Sequence, residues 1–253
     1  MSVLALAAVA LVPGCAGSRT SSAVALTVSA AASAQNALNE LAPAYQHSRP
    51  DLKIIFNFGG SGILEQQIDS GAPVDVFLSA SPKPMDMLAD KGLLAPGTRR
   101  DLLQNQVVLI APQGSTAPNS FQELAGSQVK LIALGDPGSV PAGDYGRQVL
   151  ESLQVWPAVQ SKLVLAQDVL QVLSYVVSGN ADAGIVYATD AGESGKVRVA
   201  ATAPPGSHKP VVYPVAVIKT SRNIAAARAF IGFLSGTEAR AVFLRHGFTA
   251  VSP

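Results

Sequence analysis

Gly135-Asp136-Pro137-Gly138-Ser139-Val140-Pro141-Ala142-Gly143-Asp144-Tyr145 is the stretch on which the reading of this chain turns. It follows an apolar run, Val129 to Leu134, that reads as a buried strand, and it precedes an amphipathic run, Tyr145 to Leu153. A Gly/Pro-rich passage from strand to helix leaves the first helical amides unpaired and pointing outward, which suits an anion. A tight turn with no ligand uses the same residues, because prolines and glycines are ordinary turn chemistry. Repetition tips the balance, since small-residue junctions of this kind recur along the chain.

Before this stretch, Val24 to Ser29 reads as a strand and leads through Ala30-Ala31-Ala32-Ser33 into a helix, Ala34 to Gln46. Ala37, Leu38, Leu41 and Tyr45 share one face of that helix, and Ser33 stands where an N-cap belongs. A second strand, Leu52 to Phe58, meets Gly59-Gly60-Ser61-Gly62 and a helix through Ile63, Leu64, Gln67 and Ile68, closed by Gly71. Val74 to Ser79 is a third strand, and Pro82 to Lys91 a third helix ended by Gly92. Strands and helices alternating through short loops indicate a parallel sheet covered on both faces.

A second series starts at Val107 to Ala111 and a helix around Ser120 to Leu124, then takes in the opening stretch. It continues with strand Leu163 to Ala166, a helix from Val169 to Val177, and buried strands Ala183 to Tyr187 and Val197 to Ala201. The final strand, Val211 to Ile218, and two helices, Asn223 to Leu234 and Thr237 to His246, read as a return to the first series. The expected fold is therefore α/β, with two lobes joined by two crossings and a cleft between them. Residues 24–105 and 208–253 form the first lobe, and residues 106–207 the second. Ser33, Ser61, Ala142, Val169 and Tyr187 all fall at carboxyl ends of strands, where such sheets bind ligands.

Composition narrows the function. The 253 residues are 48% hydrophobic and carry a net charge of +1, with no clustered basic face of the kind nucleic acid requires. One cysteine precludes an internal disulfide, and three scattered histidines disfavour a His/Cys metal cluster, leaving carboxylate sites open. Met1 to Val12 is nearly all Ala, Leu and Val, and too short for a bilayer span of about 20 residues. It fits the apolar part of a secretory signal over residues 1–14. The signal ends at Val12-Pro13-Gly14-Cys15, which resembles a bacterial lipobox and implies cleavage before Cys15 and lipidation of its thiol. A buried free cysteine is the plain alternative. The polar residues that follow, within 15–23, suit a flexible tether. The chain is thus expected to be exported and lipid-anchored, facing the periplasm or the cell exterior.

Catalytic motifs fail when tested. Ser61 has Gly59 two residues before it, but Ile63 stands where a nucleophile elbow needs glycine. No Gly-Lys-Ser/Thr follows the glycines, and Glu65 takes the place of the third glycine of a dinucleotide fingerprint. A binding reading uses the same residues better. Ser33 and Ser61 would each offer a hydroxyl and an amide, Ala142 and Val169 an amide, and Tyr187 a phenolic donor. Gly60, Gly62 and Gly143 would let the backbone approach a ligand. Each residue also has a plain reading alone: N-caps for the serines, helix starts for Ala142 and Val169, a core aromatic for Tyr187. Asp168 reads as a helix cap, because a carboxylate would repel an anion.

Six segments are similar as a set to the molybdate-binding proteins of bacterial uptake transporters. They are Ala30-Ala31-Ala32-Ser33, Phe58-Gly59-Gly60-Ser61, the run from Gly71 to Ala80, Gly135-Asp136-Pro137 with Val140-Pro141-Ala142-Gly143, Gly184-Ile185-Val186-Tyr187, and Tyr213-Pro214-Val215-Ala216-Val217. The resemblance runs in order from about Ala23 to His246-Gly247-Phe248. After Phe58, some relatives have Ala-Ser-Ser where this chain has Gly59-Gly60-Ser61. It implies a two-lobed periplasmic-binding-protein fold of type II and capture of molybdate or tungstate for an ABC permease. It also implies a monomer with no enzymatic activity and no cofactor. Its oxyanion contacts fall on Ser33, Ser61, Ala142, Val169 and Tyr187. A sulfate, thiosulfate or phosphate receptor on the same fold is the nearest alternative, and a serine-dependent hydrolase the alternative of another class.

Overall fold

The computed structural model describes residues 24–251, so the signal segment, Cys15 and the tether lie outside the described residues. Strand β1 (Val24–Ala31) runs through a 3-10 turn, Ala32–Ala34, into α1 (Gln35–His47). Helix α1 buries Ala37, Leu38, Leu41, Ala42 and Tyr45, the stripe its sequence spacing dictates. Then come β2 (Leu52–Gly59), α2 (Ser61–Asp69), β3 (Val76–Leu78) and α3 (Pro82–Asp90). Gly71 and Gly92 follow α2 and α3 with φ of +89° and +66°, left-handed positions at which a side chain would be strained.

β4 (Arg100–Asn105) and β5 (Val107–Pro112) are separated by Gln106 alone, yet they belong to different sheets. The chain continues through β6 (Ile132–Gly135), α4 (Pro141–Ser152), α5 (Trp156–Val159), β7 (Leu163–Ala166) and α6 (Val169–Val177). β8 (Ala183–Tyr187), α7 (Ala188–Gly192) and β9 (Val197–Thr202) complete this part. β10 (Val211–Val217), α8 (Ile224–Leu234), α9 (Thr237–Arg245) and β11 (Thr249–Ala250) close the chain. One sheet has the order β11-β4-β10-β3-β1-β2, and the other β7-β6-β8-β5-β9. The fold is α/β with two lobes, and the chain passes between the sheets at Gln106 and again between β9 and β10.

The sheets are mixed where alternation alone predicts parallel ones. β1 pairs in parallel with β2 and β3, and β6 with β7 and β8. β10 runs antiparallel to β3 and β4, and β5 antiparallel to β8 and β9. The reversal comes from the crossings: a strand that enters from the other sheet has no preceding helix to turn it parallel. β4 escapes sequence reading because Arg100-Asp101-Leu102-Leu103-Gln104-Asn105 has neither strict alternation nor a β-branched residue. Helix α4 starts at Pro141, before the amphipathic run, because proline's fixed φ and missing N–H suit a first turn.

A polar cluster joins the lobes on one side. His246, at the end of α9, contacts Glu193 of the second lobe through Nδ1 and lies 2.8 Å from Glu40 of α1 through Nε2. Arg245 also pairs with Glu40. An imidazole with a carboxylate at each nitrogen is doubly satisfied only when protonated. Burial pulls its pKa down, but the hydrogen bonds to Glu193 and Glu40 outweigh that, and the net direction is up from the ordinary 6.5. A raised pKa contributes stability that is full below 6.5 and is lost as pH rises through the folded value. Thermal melting should therefore show a more stable protein at acid than at mildly alkaline pH, and His246→Gln should shrink that difference. An equal pH dependence in the variant would remove His246 from the account.

Candidate ligand-binding site

The two sheets face each other with the carboxyl ends of β1, β2, β6, β7 and β8 turned to one cavity of about 10 Å³. Ser33, Ser61, Ala142, Val169 and Tyr187 all line it, with Gly59, Gly60, Ala80, Val140 and Pro141 among their neighbours. That is roughly the space of one water-sized sphere, far below the roughly 300–1,000 Å³ of pockets for drug-sized ligands, so the space suits a small ligand at most. No lining residue carries a formal charge. An adjoining groove, lined by Glu65, Lys83 and Asp144 among others, is of mixed charge.

Three of the five candidate donors come from helix starts. Ser61 is the first residue of α2, Ala142 the second of α4 and Val169 the first of α6. At these positions no carbonyl of the same helix is available to the amide. Three helices thus direct the positive ends of their dipoles at one point. Asp168 is the N-cap of α6 and accepts from the Gln171 N–H at 2.9 Å, the capping role its position suggests.

The serines do not cap helices. Ser33 sits inside the 3-10 turn, and Gly60, not Ser61, is the N-cap of α2. Their hydroxyls are engaged elsewhere. Ser61 Oγ accepts from the Ala80 N–H at 2.9 Å, which leaves its own proton for the pocket. Ser33 Oγ lies 2.8 Å from the hydroxyl of Tyr213. Tyr213 in turn accepts from Asn105 Nδ2 at 3.2 Å, and Asn105 also donates to Thr189 Oγ1 at 3.0 Å. Sequence reading gave neither Asn105 nor Tyr213 a place near the site, and no spacing in the chain would have found them.

Tyr187 is buried, and its hydroxyl reaches Ala80 O only at 3.5 Å, a contact too long to hold the proton firmly. Burial, with Tyr213 and other acidic groups nearby, drives the phenol well above its ordinary pKa, so it stays a donor. Its backbone N–H donates to buried Asp190 at 3.0 Å. Burial pushes the Asp190 carboxyl up to about 7 against the opposing pull of that hydrogen bond.

Two of the glycines also let the lobes meet. A Cβ on Gly60 would stand 2.6 Å from Gln167 O, and one on Gly62 would stand 2.6 Å from Ser139 O. Both carbonyls belong to the opposite lobe, and the Gly62 N–H donates to Ser139 O at 2.9 Å. Gly143 is packed against its own lobe, where a Cβ would lie 1.9 Å from Gly135 O. The missing side chains at positions 60 and 62 let the lobes meet and close the cavity.

A two-lobed α/β chain that shuts a small donor-lined chamber between its lobes has the build of a solute receptor. It belongs to the bacterial extracellular solute-binding proteins, whose family model matches residues 26–249. It is 43% identical over 252 residues to YvgL of Bacillus subtilis, covering 98% of this chain and 96% of that one. The name of YvgL assigns it provisionally to the substrate-binding lipoproteins of ABC transporters. The molybdate-binding protein ModA of Escherichia coli is 38% identical, with 88% of each chain covered. Among solved structures, the periplasmic molybdate-binding protein of Azotobacter vinelandii superposes with a TM-score of 0.80 at 28% identity. That match covers 90% of this chain and 99% of the other.

Gly62→Ala tests the closure. Overpacking costs roughly 1–3 kcal/mol, here charged to the closed form alone. The variant should melt like wild type without ligand but bind its ligand about tenfold or more weakly. Solution scattering should show it less compact with ligand present. Unchanged affinity and compactness would mean that the lobes meet without needing this glycine.

Proposed function

We propose that the protein captures molybdate or tungstate outside the cytoplasm and delivers it to an ABC transporter permease, acting as a monomer held to the membrane by a lipid on Cys15. The observation that carries this reading is the small chamber on which three helix starts and three hydroxyls converge and whose lining residues carry no charge. A tetrahedral oxyanion needs many donors around a small volume, and it needs no cation if they are dipoles in a dry site. Ser33 and Ser61 supply hydroxyls and amides, Ala142 and Val169 amides, and Tyr187 its phenol. The names of the ModA relatives support molybdate, and that of YvgL supports the lipid anchor.

Hydrogen bonds to a charged group contribute roughly 1.5–3 kcal/mol each. Several together reach about −10 kcal/mol, a sub-micromolar dissociation constant. Hydrogen phosphate carries a proton that needs an acceptor, and these five positions are arranged to donate. Sulfate is fully ionised, so it is rejected on size: the smaller tetrahedron cannot reach every donor of a closed chamber at once. The protein works by capture and release, without turnover.

Calorimetry against a panel of anions should rank molybdate and tungstate far above sulfate, with phosphate weakest. Sulfate binding as tightly as molybdate would overturn the assignment. Ser61→Ala should weaken molybdate binding by at least about 1 kcal/mol while leaving the protein folded. Intact mass of the protein from its native membrane should show the leader removed and an acyl modification on Cys15.

A further inference from the structure

A serine hydroxyl can donate or accept, so a pocket lined by serines is not donor-only until something occupies their lone pairs. For Ser61 the Ala80 N–H does this. For Ser33 the partner is a side chain, and the direction of its hydrogen bond follows from the groups behind it. Asn105 Oδ1 accepts from the Gln106 N–H at 2.9 Å, which fixes the amide so that Nδ2 faces the hydroxyls. Its two protons go to Thr189 Oγ1 at 3.0 Å and to the Tyr213 hydroxyl at 3.2 Å.

With Asn105 donating to Tyr213, the phenolic proton has one partner in reach, Ser33 Oγ at 2.8 Å. If Ser33 donated instead, Tyr213 would accept twice and its own buried proton would be left unpaired, which is costly. Tyr213 is fully buried and does not line the cavity. Its ring is held edge-on between Tyr187, with centroids 5.9 Å apart, and Phe248, at 5.4 Å.

We propose that Tyr213, oriented by Asn105, is a positioning residue that sets Ser33 as a donor: the Tyr213 proton occupies one Ser33 lone pair, and the Ser33 proton, which Tyr213 is then not placed to accept, is presented to the ligand. The proposal rests on the oxyanion reading of the cavity. Asn105 ends β4, at the first crossing, and Thr189 belongs to the second lobe, so the same amide that polarises Ser33 also ties the lobes together at the crossing.

The test is a double-mutant cycle by calorimetry on the full mature chain, titrated with molybdate and, separately, with sulfate. Tyr213→Phe keeps the ring and removes only the hydroxyl. It should weaken molybdate binding about tenfold, with little change in the unliganded melting temperature. Ser33→Ala should lose at least as much, and Ser33→Ala with Tyr213→Phe should bind no more weakly than Ser33→Ala alone. A structural disturbance from losing the hydroxyl would persist when Ser33 is gone, so the cycle separates the two roles. Asn105→Ala, which frees the Tyr213 lone pair, should also weaken binding several-fold, and by less in the Ser33→Ala background, where only the lost tie to Thr189 remains. Additive losses, or wild-type affinity in Tyr213→Phe, would overturn the proposal. A wild-type chain that prefers sulfate would overturn molybdate as cargo while the cycle, run with sulfate, still judges Tyr213. A wild-type chain that binds neither anion would overturn both.

Discussion

The contact on which this structure depends is backbone against backbone. The Gly62 N–H donates to Ser139 O at 2.9 Å across the cleft, and Gly60 lies close enough to Gln167 O that a Cβ would stand 2.6 Å away. Two peptide chains approach this closely only where side chains are absent. The approach brings the starts of α2, α4 and α6 to one small volume. Widening it would leave the same donors pointing into water, where each is worth little. The closed cleft thus converts ordinary helix ends into a site.

Electrostatics in that site is a matter of dipoles and of hydrogen-bond direction. Among the described residues no Lys, Arg or His lines the cavity, and Asp168, the acidic residue next to Val169, is turned to cap α6. Partial charges at helix ends are fixed by the backbone and do not titrate. The hydroxyls need more help, because a rotatable O–H can face either way. Protein donors hold them: an amide for Ser61, and a buried phenol backed by an asparagine for Ser33. Tyr187 keeps its proton because burial disfavours the phenolate. The carboxyl of Asp190, pushed up to about 7, and the imidazole of His246, shifted up from its ordinary value, stand outside the cavity and act on stability and lobe contact.

Much of the architecture was readable from local pattern. Strand β1 and helix α1, the junction before Ser61, and the strands ending at Ala166 and Tyr187 all followed from apolar runs broken by Gly, Pro and Ser. The five residues picked out at strand ends share one cavity for the same reason: in a doubly covered sheet, carboxyl ends lie on one side. What failed was long-range. The antiparallel course of β10 and β5 depends on how the chain re-enters a sheet, and β4 has no periodicity to betray it. The glycines at 60 and 62 were readable as close-approach positions, but not as positions that meet the other lobe.

The sequence by itself determined most of the elements, their alternation, the uncharged character of the strand-end loops and the helix starts that supply amides. These are properties of neighbours in the chain, set by side-chain period and backbone preference within a few residues. Only the tertiary structure decided which carbonyl meets which glycine and which proton goes to which oxygen. Tyr213 is 180 residues from Ser33 and 108 from Asn105, and nothing local to any of them specifies the encounter. Hydrogen-bond direction depends on every donor and acceptor within about 3 Å, and that set exists only once the chain has folded.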